Sequence, residues 1–158
     1  MMISRWDVRA LESVPLKLII VVVVATMSVL PAAQALAGLE SREFVRRAEI
    51  QVDRVVTAVQ VLTVQGPGNV RTLSFDFRSE GGLAFEELRI GDRMGGPNSS
   101  CAILRLSNGG VIARVASDPP CAACSTHMEA FVATQPLFDM RMTATLGNEM
   151  TVILLEMV

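Results

Sequence analysis

From Leu18 to Leu39 the chain reads LIIVVVVATMSVLPAAQALAGL, and no charge falls between Lys17 and Glu40. A run of this kind limits what the rest of the chain can be. Crossing the hydrocarbon core of a bilayer takes roughly 20 residues of helix. A backbone placed there must satisfy its own hydrogen bonds, which makes helix the default. A secretory signal fits the same window. Its purest apolar part ends at Leu30, Pro31 follows, and Ala33-Gln34-Ala35 and Ala35-Leu36-Ala37 both have the form of a cleavage site. The window alone leaves a retained anchor and a cleaved signal equally open, and the flanking sequence has to separate them.

On the far side, Val45, Ala48, Val52, Val55, Val56, Val59 and Leu62 recur at spacings of three and four, with Arg42, Arg46, Arg47, Glu49, Asp53 and Arg54 between them. That is an amphipathic helix with one apolar stripe. No Gly-Pro break separates it from the apolar run. Gly38 costs only about 1 kcal/mol inside a helix, and Pro31 bends a membrane helix rather than ending it. Gln65-Gly66-Pro67-Gly68-Asn69 supplies the stop. The spacing therefore predicts one helix from about residue 15 to about residue 63, apolar all round in its first half and on one side in its second. Such continuity favours retention over cleavage.

The chain has 158 residues, which leaves one domain of about a hundred residues after the helix. A net charge of −2 gives no field that points to nucleic acid. Trp6 stands just ahead of the apolar run, where an interfacial tryptophan belongs. Arg5, Arg9 and Lys17 precede the run and Arg42, Arg46, Arg47 and Arg54 follow it, so the count of positive charges does not orient it. The short leading segment and the cysteine-bearing domain behind the helix favour an inside N-terminus and a C-terminal head outside the membrane.

Beyond Asn69 the period changes from helical to alternating. Leu73, Phe75 and Phe77 alternate with Ser74, Asp76 and Arg78 as in a half-buried strand, and a weaker strand covers Leu83 to Ile90. Residues 102–106 and 111–115 flank Ser107-Asn108-Gly109-Gly110 as a hairpin. Phe138 to Leu146 and Met150 to Val158 form a second one around Gly147-Asn148. The nearly continuous apolar run at the end suits a central strand covered on both faces. The expected class is α+β: a long N-terminal helix, transmembrane then amphipathic, packed on a small, mostly antiparallel, β-sandwich-like head. Its regions are 1–10, a leader-like cytoplasmic segment; 11–64, the helix (membrane 18–39, amphipathic 40–64); and 69–158, the β-rich head.

Arg9-Ala10-Leu11-Glu12-Ser13-Val14 lies immediately before the apolar helix. This junction, with the long helix behind it, resembles the archaeal type IV pilin-like proteins. The resemblance implies that Arg9 and Ala10 are the last leader residues and Leu11 the mature N-terminus. Glu12 or Ser13 takes the polar position ahead of the apolar run. Pro15 stands where bacterial pilins carry glutamate, which places the likeness at the archaeal and pseudopilin end of the group. The resemblance further implies a membrane-anchored minor pilin or pseudopilin that meets other subunits through its N-terminal helix, is cut by a prepilin peptidase and is moved by an assembly ATPase and membrane platform. The competing expectation is a membrane-anchored or secreted β-domain that binds a metal, glycan or protein and never polymerises.

Asp118-Pro119-Pro120-Cys121-Ala122-Ala123-Cys124-Ser125-Thr126-His127 is the stretch able to hold chemistry. Three readings compete. Cys101, Cys121, Cys124 and His127 offer three thiolates and an imidazole to zinc. Cys121 and Cys124 have the spacing of a redox pair, but without the βαβ context that chemistry uses. Outside a membrane the favoured reading is a disulfide, from Cys101 to Cys121 or Cys124, or between the last two. No phosphate-binding glycine loop and no nucleophile elbow occurs, so no enzyme and no cofactor are expected. Glu86-Glu87 reads as a solvated pair on a surface strand. Asn98-Ser99-Ser100 is an N-glycosylation sequon in a Gly, Pro and Ser-rich loop.

Overall fold

The computed structural model describes residues 8–79, 82–93, 96–116, 122–147 and 150–158, with side chains from Leu16 onward. Two compact units divide the chain, Met1–Leu39 and Glu40–Val158. One helix, α1 (Val8–Gln65), belongs to both and stays helical through Pro31 and Gly38. Pro31 removes a single ladder donor, and Ala32, Ala33, Ala35 and Ala37 around it are strong helix formers. The helix ends by the chemistry of its stop signal. Gly66 takes φ +81° and donates its N–H to the Leu62 carbonyl at 3.0 Å. The Asn69 amide then donates to the carbonyls of Gln65 and Gly66, each at 3.0 Å.

In the second unit the chain forms two four-stranded sheets. The first has the order β1 (Val70–Asp76), β7 (Leu137–Gly147), β8 (Met150–Met157), β5 (Ala122–Ser125). The second has the order β4 (Val111–Val115), β3 (Cys101–Leu106), β2 (Phe85–Ile90), β6 (Phe131–Ala133). Every pairing is antiparallel except β5 with β8. Both expected hairpins form. In the first, Gly109 N–H donates to Leu106 O, Leu106 N–H to Gly110 O, and Gly109 takes φ +79°. In the second, β7 and β8 pair out to Gly147 opposite Met150.

One core serves the helix and both sheets. The predicted stripe is buried at Ala48, Val52, Val55, Val59 and Leu62, joined by Phe44 and Ala58. It meets Leu73, Phe75, Met140, Met142, Ile153 and Leu155 of the first sheet and Leu88, Ile90, Leu104 and Ile112 of the second. Five phenylalanines join the sheets. Phe75 stacks on Phe138 at 4.9 Å and on Phe77 at 5.8 Å, Phe77 on Phe85 at 4.8 Å, and Phe131 reaches Phe138 at 6.4 Å. Strand β8 is interior as expected: Val152 and Ile153, which point to opposite faces, are both buried.

Two polar contacts fasten the helix to the sheet edges. Arg114 on edge strand β4 donates from Nε to Asp53 at 2.9 Å and lies 3.7 Å from Glu49. On edge strand β1, the Gln51 amide donates to Asp76 O at 2.7 Å and accepts from Asp76 N–H at 2.9 Å. These are the two bonds a neighbouring strand would have made there.

Candidate functional site

Every described residue from Leu16 to Glu40 is exposed, including Ile19, Val21, Val24, Met27, Val29, Leu30 and Leu36. An apolar surface of this extent is far larger than water tolerates on a folded protein. It is apolar on all sides, so covering one face is not enough. Polar side chains within it mostly turn inward on the backbone. Thr26 Oγ1 donates to Val22 O at 2.7 Å and lies 3.0 Å from Val23 O, and Ser28 Oγ donates to Val24 O at 2.9 Å. Both hydroxyls are thus satisfied without water, as hydrocarbon demands. Gln34 is exposed, and its amide has no partner among the described residues. By length and composition this helix is able to cross a membrane.

Arg9, Ala10 and Leu11 lie in the first turn of α1. Asn98 is exposed in the turn before β3, with its carbonyl accepting from Cys101 N–H at 3.0 Å. The sequon amide is therefore accessible.

Among the described residues no disulfide forms. Cys101 and Cys124 are both free thiols and do not pair with each other, while Cys121, which the other two expected pairings need, lies outside the described residues. Cys124 sits in β5, opposite Leu154 of β8, in a small buried patch with Ala122 and Val152 apart from the main core. Its sulfur meets that of Met128 at 3.9 Å. Burial pushes the Cys124 thiol up, away from the thiolate a redox centre needs. Cys101 is half-buried and lines a void of about 10 Å³ with Val55, Val56, Val59, Ile90 and Ala123, room for one water at most. His127 is exposed in the turn after β5. Among the described residues Cys101, Cys124 and His127 form no three-ligand group, so they offer zinc no site by themselves. Glu86 and Glu87 sit on β2, whose neighbours are β3 and β6.

What the sequence did not signal is a groove beside β1. It holds about 400 Å³ and is lined by Ile50, Asp53, Arg54, Thr57 and Ala58 of the helix and by Arg71 and Leu73 of β1. Asp53 is already paired with Arg114; Arg54 and Arg71 have no acidic partner among the described residues. Helical periodicity marks Ile50 and Arg54 as off the stripe, but nothing local says that β1 ends a sheet at that place.

Compared with family models, with curated proteins and with solved structures, the chain matches none in any of the three.

Proposed function

We propose that this protein is a membrane-anchored structural subunit of the type IV pilin-like kind, a minor pilin or pseudopilin whose β-rich head stands outside the membrane. One observation carries the reading: helix α1 continues without interruption from a segment exposed and apolar on all sides into a stripe buried under two sheets. A cleaved signal has no reason to share a helix with the core of the mature domain. A helix apolar all round is suited to lipid before assembly and to copies of itself afterwards. The Arg9-Ala10-Leu11 junction supplies the processing step, with a prepilin peptidase and assembly machinery as partners. Function here is assembly, not catalysis: apolar helices bundle, and heads set the spacing.

The test is self-association in membranes. Two copies of the full chain with different tags, expressed together, should co-purify from mild detergent. Gln34→Leu should weaken that recovery several-fold, because an amide in hydrocarbon finds its partners across a helix pair. Copies that never co-purify, while remaining in the membrane, would support the other reading: an anchored β-domain that binds a ligand without polymerising. The open groove beside β1 favours that second reading.

A further inference from the structure

We infer that the groove between α1 and β1 is a docking site for an extended acidic peptide segment of a partner protein, held by β-strand addition to β1. The inference goes beyond the assembly reading and holds whether or not the subunit polymerises. Among the described residues strand β1 pairs only with β7, which leaves its other edge open. Phe77 N–H donates to Pro136 O and Ala144 N–H to Asn69 O, which fixes the alternation. Residues 71, 73 and 75 turn their backbone groups to β7, and Val70, Thr72, Ser74 and Asp76 turn theirs to the open edge. Gln51 occupies the edge at Asp76 alone. Thr72 and Ser74 are exposed and have no backbone partner on that side among the described residues.

The space next to this edge fits a strand. Leu73, Ile50 and Ala58 give the groove an apolar floor, and Arg54 and Arg71 line it as cations with no acidic partner among the described residues. A strand added beside β1 would bond to Thr72 and Ser74 and send alternate side chains into the groove. Apolar side chains would meet Leu73 and Ile50, and a carboxylate would meet the two guanidiniums. The chain's own Glu86-Glu87 is no donor, since β2 is held between β3 and β6. The two guanidiniums therefore select an acidic segment from outside this chain.

The experiment uses the full chain in detergent micelles and a fluorescent peptide of alternating valine and threonine with two central glutamates, read by anisotropy. Binding should fall roughly tenfold for each of Arg54→Ala and Arg71→Ala. It should fall at least tenfold when the peptide's glutamates become lysines. It should vanish when the backbone nitrogens facing β1 are methylated, and Thr72 and Ser74 amides should gain hydrogen-exchange protection on binding. No binding at millimolar peptide, equal binding of the lysine or methylated peptides, or wild-type binding by the double arginine variant would each overturn the proposal. So would protection of these same amides by a second copy of the chain in place of the peptide. Circular dichroism matching wild type confirms that the variants fold.

Discussion

Gly91 takes φ +70°, and a Cβ on it would fall 1.7 Å from the Ala123 carbonyl oxygen. The space is closed because the strand ends meet there: Gly91 N–H donates to Cys101 O at 2.8 Å and Asp92 N–H to Ala123 O at 3.3 Å. Gly91→Ala is therefore expected to cost more than about 2 kcal/mol, by backbone strain and displacement of β5 together. Denaturant unfolding measures it, and an unchanged midpoint would contradict the packing. Asp76 offers a pH test. The Arg78 side chain, whose Nε donates to Oδ1 at 2.9 Å, holds its carboxyl at about 2 against an ordinary 3.8. A depressed folded value means the contribution is full above about 3.8 and is lost as pH falls through about 2. Both groups are exposed, so the effect on stability is small and screened by salt. NMR titration of Arg78→Ala should show the Asp76 midpoint moving up toward 3.8, and an unmoved midpoint would remove Arg78 as the cause. The thiols differ as well. In a Cys121→Ser variant, Cys101 should react with a thiol reagent in the folded state and Cys124 only after unfolding, read by counting labelled thiols by mass.

At the scale of elements, the helix is attached to the head by a buried stripe and by two polar clamps. Removing one clamp by Gln51→Ala exchanges two good hydrogen bonds for water, an expected loss of about 1–2 kcal/mol. Phe138→Ala should cost more, about 3–5 kcal/mol, because its ring joins Phe75 of one sheet to Phe131 of the other. Thermal melting of the two variants orders these effects, and a Gln51 loss exceeding that at Phe138 would invert the account. The elements differ in how plainly the sequence announces them. The helix was legible because its stripe repeats for five turns and because Gly66-Pro67-Gly68-Asn69 stops it. Hairpins at Asn108-Gly109 and at Gly147 were legible because their strands are neighbours in the chain. Strands β5 and β6 were not: three or four residues carry no measurable period, and β5 follows two prolines. The parallel pairing of β5 with β8 joins residues far apart in sequence, and only tertiary packing decides it. Which strands go to which sheet was hidden for the same reason, and with it the open edge of β1. The free state of Cys101 and Cys124 shows the limit of spacing as a guide, since residue separation does not fix whether two sulfurs meet.

For the whole molecule, the first unit exposes apolar side chains on every side and the second buries them under two sheets. A single helix belongs to both, so the finished protein is expected to keep the greasy segment and to live where lipid or other helices cover it. On the proposed pilin-like reading Arg9 and Ala10 are the last leader residues, and replacing both should leave an uncut, longer chain in the membrane. The most direct measurement is the intact mass of the protein recovered from its own cell membranes. The account requires a chain beginning at Leu11. A chain beginning at Leu36 or Gly38 would mean secretion without the helix, and one still carrying Met1 or Met2 would mean an anchor that no prepilin peptidase has cut.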